Sequence, residues 1–332
     1  ALATRRSVNM KRMLNKPTSR SKGRWRAMAV AVALLQAGCA TPNLADFRTV
    51  EISAEPGSGA ELVNGLPLRS GQVIIREAAT SMGFLMNLMA EEYLPFGHAG
   101  IIVVEAEGTY VYDAFGLLNA RFWEPPTKRI RGRIRRIPLT SFLARGTVSA
   151  IYDHHDADRQ AVADFAIEAY RSRMAFDGLF DYRTPEQVYC SEFVAAALRA
   201  AGAEVRDPIP RTQNSSLRRV MAWLELDAPG FIVAGQLINS ATEVARISPR
   251  YSSAQIDAHF AFERAMHNRF RDDQKLGNLY HWTSAGPRIR PHLADLRRRV
   301  LEGADAADDP RRWAAQQIDQ ALGPRPTRVV GR

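Results

Sequence analysis

A cysteine at the start of a predicted helix is the residue of this chain best suited to nucleophilic chemistry. Cys190 opens the stretch Cys190-Ser-Glu-Phe-Val, within a helix that the pattern predicts over residues 189–201. A thiol attacks only as thiolate, and the unpaired N–H groups of a helix start favour that charge and can donate to an oxyanion. Because Phe193, Val194 and Ala197 share its helix face, the alternative is that Cys190 is a packed core residue.

His98 is the histidine best placed to act as the base for such a thiol. It stands at the start of a strand predicted over residues 98–104, and its neighbours Gly97, Ala99 and Gly100 are all small. Small neighbours let another element approach to the separation of about 3 Å that proton transfer requires. The alternative is an ordinary strand histidine whose ring nitrogens are satisfied by nearby groups.

Asp113 is the candidate for a third group that orients the imidazole. It lies near the end of a strand predicted over residues 109–114, which Glu107-Gly108, a natural hairpin turn, joins to the His98 strand. A carboxylate on the paired strand can reach across the hairpin, hold the imidazole tautomer and stabilise the imidazolium. The alternative is that Asp113 only ends its strand.

Two further patterns suggest binding sites but are interpreted as structural. His154 and His155 are adjacent and flanked by acids, yet adjacent residues on regular structure point apart and no HExxH spacing accompanies them. We therefore predict no metal site and no cofactor. The basic stretch over residues 128–136 alternates with isoleucine, and we interpret it as one solvated face of a strand rather than as a binding patch.

The formal net charge of +10 belongs to the first residues of the chain. Residues 1–26 hold nine of the 45 basic residues and no acid, which leaves 36 basic against 35 acidic residues in the remainder. This balance argues against a nucleic-acid-binding protein. An apolar run of about eleven residues follows at 27–37, as is typical of a secretory signal and too short for a membrane span of roughly twenty residues.

Cys39 follows this apolar run and is a candidate site of lipid attachment. The stretch Leu35-Gln-Ala-Gly-Cys39 resembles a bacterial lipobox, with Gln36 where leucine is usual. We therefore predict an exported, periplasmic protein, anchored in the outer membrane through Cys39. The alternative is ordinary cleavage that leaves a plain thiol. Since the chain has two cysteines, lipidation would leave Cys190 as the one remaining thiol, with no disulfide partner.

The periodicity of the rest of the chain predicts an α+β fold with an antiparallel sheet. Strands are predicted at 71–76, 98–104, 109–114, 133–138 and 148–152. Helices are predicted at 80–93, 156–173, 189–201, 215–226, 256–270 and 291–301. Gly202 is predicted to end the helix that begins near Cys190.

Four stretches resemble the YiiX-like family, circularly permuted relatives of the NlpC/P60 papain-like hydrolases that are distantly similar to lecithin retinol acyltransferase. They are LRSGQVII at 68–75, GHAGIIVV at 97–104, YVYDA at 110–114 and VYCSEFV at 188–194. The resemblance implies a permuted papain-like fold, in which a small antiparallel sheet packs on helices. It also implies Cys190 as nucleophile, His98 as base and Asp113 as orienting acid, although the family more often has glutamate there.

The resemblance implies an exported cysteine hydrolase of the peptidase or amidase type, which cleaves an amide or ester through a thioester on Cys190. For an envelope lipoprotein the expected substrates are peptidoglycan stem peptides, or N-acyl and lipid compounds. Two alternatives stay open: an acyltransferase using the same thioester, and a non-catalytic envelope protein that keeps the fold. The predicted organisation is a leader, a tether, the hydrolase domain and a mostly helical extension, at residues 1–39, 40–65, 66–225 and 226–332.

Overall fold

The structure is a computed structural model that describes residues 52–54, 61–63, 66–78, 87–118, 130–184, 186–223, 225–273, 280–283 and 286–323. The predicted secretory signal and Cys39 lie outside these ranges, as do most of the tether and residues 80–86 of the helix predicted over 80–93. Within the described ranges, no helix is both long enough and apolar enough to cross a membrane.

The strands and helices are numbered here in chain order. The strands are β1 (Ile52–Ala54), β2 (Glu61–Val63), β3 (Leu66–Pro67), β4 (Val73–Ala78), β5 (His98–Glu105), β6 (Gly108–Leu118), β7 (Ile130–Pro138), β8 (Gly146–His154), β9 (Ala175–Phe176), β10 (Gln187–Val188), β11 (Ile209–Pro210), β12 (Gly230–Phe231), β13 (Ala241–Ile247), β14 (Tyr280–Thr283) and β15 (Gly286–Ile289). The helices are α1 (Leu139–Leu143), α2 (Arg159–Arg171), α3 (Cys190–Ala200), α4 (Ser215–Trp223), α5 (Ser253–Asp273), α6 (Pro291–Ala304) and α7 (Pro310–Leu322).

Eight of the described strands form one sheet, in the order β10-β9-β7-β6-β5-β4-β8-β13. Neighbouring strands run antiparallel, apart from the short β9–β10 pair, which is parallel. The predicted α+β fold class is confirmed. Because β5 and β6 have paired strands on both sides, their backbone hydrogen bonds hold the residues they carry in a fixed register.

One face of the sheet packs against α2 and α3. Ala99 and Ile101 alternate along β5 and join a buried cluster with Phe193 and Val194 of α3. The larger of these side chains, Ile101, Phe193 and Val194, each contribute on the order of 1.5–3 kcal/mol when fully buried. Helix α3 ends as predicted, since Gly202 has a φ of +90° that favours glycine.

The opposite face of the sheet packs against the short helix α1. The strand side chains that point to this face form a second cluster with Leu139 and Phe142 of α1. They are Ile74 on β4, Ile102 on β5 and Val111 on β6. The sheet is therefore covered on both sides at its centre. A polar side chain at the centre of β4, β5 or β6 is therefore largely shielded from water.

The C-terminal helices build a third core beside the sheet. It contains Phe262 and Met266 of α5 with buried residues of α4, α6 and α7, and it includes Leu88 and Met89 from the segment that leads to His98. The helix predicted over 80–93 stops within the described residues at position 89. Ala90 instead forms a β-bridge with Arg211.

The structure differs from the sequence expectations in the extent of the sheet. Strand β13 lies beyond residue 225, yet it pairs with β8 as an outer strand. The predicted domain boundary at residue 225 therefore falls within the stretch that builds the sheet, and the sheet is larger than the small one expected. The reason is that most β13 side chains are exposed or half-buried. The sequence of β13 therefore lacks the apolar alternation by which a strand is predicted. Helix α7 was likewise absent from the predictions.

Candidate active site

The structure brings His98 and Asp113 into contact across the β5–β6 pair. Nε2 of His98 lies 2.7 Å from Oδ2 of Asp113. Asp113 is fully buried, and His98 is 9% exposed. Strand alternation places His98 on the face of Ile102, which is the face covered by α1. The ring of Phe142 from α1 stacks on the imidazole, with 5.7 Å between ring centroids.

Gly100 is required for this close approach of β5 and β6. A Cβ atom at Gly100 would lie 2.6 Å from Cγ1 of Val111 and 3.3 Å from Cβ of Asp113. Contacts that short would push the two strands apart, and with them the imidazole and its carboxylate. Of the small residues beside His98, Gly100 therefore serves the packing of the site by letting β6 approach β5.

Arg135 is a member of the site that the sequence analysis missed. It lies directly opposite Asp113 in the β6–β7 register, and its Nε and Nη2 donate to the two carboxylate oxygens at 2.5 and 2.7 Å. The interpretation of residues 128–136 as a solvated strand face is thus wrong for Arg135. Arg136 stays partly exposed to solvent and forms an ion pair with Glu105, with Nη2 2.6 Å from Oε2. Residues opposite each other in an antiparallel pair share a face, and this is the signal that could have found Arg135.

The ionisation of Asp113 is set by this arginine. Burial alone would raise the pKa of the carboxyl group, but hydrogen bonds from Arg135 and His98 together with their charges outweigh it. The pKa of Asp113 is therefore held well below its ordinary value. Asp113 stays an anion, as a group that stabilises an imidazolium must.

Cys190 is the first residue of α3 and meets His98 at the start of β5. Its half-buried thiol lies close enough to the imidazole of His98 and to the backbone N–H of Ala99 for both groups to lower the thiol pKa. Because Asp113 occupies Nε2 of the ring, Nδ1 is the nitrogen left to face the thiol. The three residues predicted from the sequence are thus brought together in the order thiol, imidazole, carboxylate.

The thiol and the imidazole shift each other's ionisation in opposite directions. Burial opposes ionisation of Cys190, but the charge of His98 and hydrogen bonds from His98, Ser191 and Ala99 outweigh it and lower the thiol pKa. Burial lowers the pKa of His98, and the Cys190 thiolate together with the bond to Asp113 more than compensates, so the pKa of the imidazole is raised. Both shifts favour a thiolate–imidazolium pair.

Arg76 is a second basic residue that the sequence did not reveal. It is opposite His98 in the β4–β5 register, and its guanidinium lies over the ring of Phe142, 4.9 Å from the centroid. Burial lowers its pKa to about 10, while the charges of Asp113 and Cys190 act to raise it. At neutral pH Arg76 is therefore a buried cation close to both anionic groups of the site.

The start of α3 is fixed by side chains on both sides of the nucleophile. Oε2 of Glu192 accepts the backbone N–H of Tyr189 at 3.4 Å, and the Tyr189 hydroxyl accepts the N–H of Ile232 at 2.7 Å. Burial raises the pKa of Glu192 to about 8. These bonds hold the start of α3, and with it Cys190, in place.

The remaining histidines lie away from this centre. His154 is buried on β8, and no group of three potential metal ligands gathers around it or His155 in the described part of the chain. Sequence reasoning overlooked another set, Glu77 with His259 and Glu263, which the fold brings together although no local spacing links Glu77 to the other two.

Comparisons with known proteins give one structural neighbour. No family model matches the chain, and no curated protein matches it. Among solved structures, the chain is similar to the metalloprotein YiiX of Escherichia coli O157:H7, with a TM-score of 0.41 and 18% sequence identity over 55% of this chain and 98% of that chain. A likeness of this size does not by itself establish a shared fold or a family.

Proposed function

We propose that this chain is a cysteine hydrolase that cleaves an amide or ester bond through a thioester on Cys190. The observation that carries the proposal is the placement of the Cys190 thiol beside His98, whose Nε2 lies 2.7 Å from Oδ2 of the buried Asp113. A nucleophile, a base in contact with it and a group that orients the base are the three parts that such catalysis needs. The lowered thiol pKa supplies the reactive thiolate.

The reaction would proceed in two halves. The Cys190 thiolate attacks the carbonyl carbon, and the tetrahedral intermediate collapses as the His98 imidazolium gives its proton to the leaving amine or alcohol. The neutral imidazole then takes a proton from water, which attacks the thioester carbonyl. Collapse of this second intermediate releases the carboxylic acid and restores the thiolate–imidazolium pair, while Asp113 keeps its charge throughout.

The oxyanion would be stabilised at the start of α3. The first backbone N–H groups of a helix have no carbonyl partner within it, and in α3 the bond from the N–H of Phe193 to the carbonyl of Tyr189 is the first. The N–H groups that precede it lie next to the Cys190 sulfur. Donors fixed at the place where negative charge develops contribute on the order of 3–4 kcal/mol each to acyl-transfer catalysis.

We further propose that the chain belongs to the YiiX-like family of permuted NlpC/P60 hydrolases with a papain-like arrangement. Support comes from the quoted sequence stretches and from chain order, since the His98 strand precedes the Cys190 helix. The leader and Cys39 support an exported lipoprotein of the outer membrane. The substrates proposed on this basis are peptidoglycan stem peptides, or N-acyl and lipid compounds of the envelope.

Substrate turnover and trapping of the thioester together test the proposal. The chain is incubated with purified peptidoglycan fragments and, separately, with N-acyl amino acids and lipid esters, and products are identified by mass spectrometry. We expect a new product from one class and an acyl adduct on Cys190 that hydroxylamine releases. With Cys190→Ala both should disappear while the circular dichroism spectrum stays unchanged.

The adduct has to be located by peptide mapping, because Cys39 is a second cysteine in the chain. Products from peptidoglycan alone would assign a peptidase, whereas products from acyl compounds alone would assign an amidase or esterase. No product and no adduct from either class would reject the hydrolase proposal.

A further inference from the structure

A second buried cluster of ionisable groups lies between the sheet and the C-terminal helices. Glu77 comes from β4, while His259 and Glu263 lie one turn apart on α5. His259 is fully buried, and Glu77 and Glu263 are 5% and 8% exposed. Nε2 of His259 lies 2.5 Å from Oε2 of Glu77 and 3.6 Å from Oε1 of Glu263. One ligand atom of each residue thus falls within 4.8 Å of the others.

The charges of this cluster do not balance without a cation or a proton. One oxygen of Glu77 and one of Glu263 lie within 4.8 Å of each other, and two buried carboxylates at such a distance do not both ionise freely. Within the described residues, Arg297 is the basic side chain that contacts the cluster, with Nη2 at 3.3 Å from Nδ1 of His259. A guanidinium only donates, so Nδ1 accepts and the imidazole is neutral. One negative charge is therefore left over.

We propose that Glu77, His259 and Glu263 bind one divalent transition-metal ion of the zinc class. Carboxylate oxygens combined with an imidazole nitrogen form a donor set that Zn²⁺ accepts. Ligand atoms of a tetrahedral zinc site lie about 3.3 Å apart, given bond lengths near 2.0–2.2 Å. The distance from His259 to Glu263 already fits, and the shorter one to Glu77 has to widen by less than about 1 Å.

A tyrosine supports this ligand set from outside. The hydroxyl of Tyr93 donates to Oε2 of Glu263 at 3.0 Å, which leaves Oε1 of the same carboxylate for the ion. Outer hydrogen bonds of this kind orient metal ligands and strengthen binding.

Arg297 opposes the ion and sets the expected strength of binding. With a metal on Nε2, Nδ1 of His259 carries the ring proton, so the guanidinium has to turn away from it. Its second partner, the hydroxyl of Tyr251 at 3.3 Å, can keep it in place. This reorientation and the repulsion between two cations make the site weaker than a dedicated structural zinc site.

A bound ion would tie α5 to the strand that carries one side of the candidate active site. Glu77 directly follows Arg76 on β4, and α5 also touches the segment before His98, where Phe260 packs edge-on against Phe96 with 5.1 Å between ring centroids. The ion would thus hold the C-terminal helices against the sheet. Its role would be to fix the fold around the site and not to take part in the bond cleavage.

Titration of Co²⁺ into a cysteine-free form of the full chain tests the proposal. The substitutions Cys39→Ser and Cys190→Ala remove the thiols, which would otherwise form a competing metal site. We expect d–d absorption in the visible range that saturates at one Co²⁺ per chain, shows no thiolate charge transfer and disappears when Zn²⁺ is added. If no one-to-one species forms, by absorption and by metal analysis after gel filtration, the cluster holds only a proton and the proposal is overturned.

Substitutions then assign the ligands. In the same background His259→Gln and Glu263→Gln should each weaken Co²⁺ binding by at least about tenfold. His292→Gln, an exposed histidine on α6, is the matched control and should leave the affinity unchanged. Unchanged affinity in folded His259→Gln would refute this ligand assignment.

Arg297→Met gives a readout that a merely structural role would not produce. Removing the positive charge beside the ion should tighten Co²⁺ binding by about tenfold or more, even though loss of a largely buried arginine costs stability. If the glutamine variants fail to fold, Co²⁺ binding by Arg297→Met still tests the proposed metal site. Binding that weakens or stays the same in folded Arg297→Met would contradict a metal held at this cluster.

Discussion

Two buried histidine–carboxylate clusters of this chain use the same residue types and differ in where the arginine binds. In the candidate active site, Arg135 binds both oxygens of Asp113. In the second cluster, Arg297 contacts the imidazole of His259, and the two carboxyl groups face each other. The position of one guanidinium therefore decides which group of each cluster keeps its charge.

The carboxyl pKa values show the effect of that choice. Burial raises the pKa of both groups, but at Asp113 the bonds from Arg135 and His98 reverse it and hold the pKa well below the ordinary value. At Glu263 burial and the neighbouring carboxyl group act together and raise the pKa to about 8. In this chain the carboxylate that contacts the active-site imidazole is kept charged with the help of Arg135, whereas two carboxyl groups close to each other can exchange a proton for another cation.

The largest expected effect follows from removing the charge of Asp113. In Asp113→Asn the imidazole loses the anion that orients it and stabilises its protonated form, so we expect kcat/KM to fall by about 10²–10⁴. Hydrolysis of the substrate class identified above measures this, with urea unfolding to separate activity from stability. Activity within a few-fold of wild type in a folded variant would show that Asp113 only shapes the strand.

Arg135→Met should mainly destabilise the fold. It leaves the fully buried Asp113 without its two-point partner, and breaking a buried ion pair from one side costs about 3–5 kcal/mol. Urea unfolding measures the loss. Arg135→Lys keeps the charge but not the paired geometry, so its stability should lie between that of the wild type and that of Arg135→Met. A methionine variant as stable as the wild type would mean that the pair contributes nothing net.

The pH dependence of thiol alkylation should separate the active site from an ordinary buried cysteine. Since the pKa of Cys190 is lowered from 9.0 and that of His98 is raised from 6.5, we expect the thiolate to persist to lower pH than in an ordinary cysteine. Alkylation should therefore fall only on the acid side, as the thiolate gains its proton. Hydrolysis should fall on the alkaline side as well, as the imidazolium loses its proton.

In His98→Gln the thiol loses this support, and its alkylation midpoint should move up towards the ordinary range. The rate at neutral pH should then drop by about tenfold for each pKa unit gained. Peptide mapping has to report Cys190 alone, since Cys39 reacts as well in any chain that is not lipidated there. An unchanged pH profile of alkylation in His98→Gln would contradict an activated pair of Cys190 and His98.

Glu263→Gln should have the smallest effect, and this sharpens the contrast with Asp113. In the metal-free chain at neutral pH the amide imitates a carboxyl group that is largely protonated, so we expect a stability change within about 1 kcal/mol. Hydrolytic activity should stay within a few-fold of wild type. A loss of activity like that of Asp113→Asn would remove the distinction between the two clusters.

The candidate catalytic residues could be predicted because each carries a local signal. Cys190 begins a helix, His98 begins a strand among small residues, and Asp113 lies across a hairpin from it. The contact of Arg135 with Asp113 could have been predicted as well, because the two residues lie opposite each other in the antiparallel register of β6 and β7. The regular alternation of its strand suggested a solvated face, and the missing information was that β7 lies inside the sheet.

The second cluster could not be found in this way. His259 and Glu263 show a helical spacing, but Glu77 stands 182 positions before His259, and only the folded chain places them together. The outer strand β13 was missed for a related reason. Its side chains face mostly water, so its place depends on backbone pairing with β8 and leaves little trace in the sequence.

The hydrogen bond from Ile232 to the Tyr189 hydroxyl has a consequence for how the protein is made. It joins the residue before the nucleophile to a position 43 residues further along the chain, and such distant contacts form late in folding. A nascent or truncated chain that ends soon after α3 already contains Cys190, His98 and Asp113. Its nucleophile helix lacks this anchor, so hydrolytic competence should arrive only when the C-terminal third has been synthesised and docked.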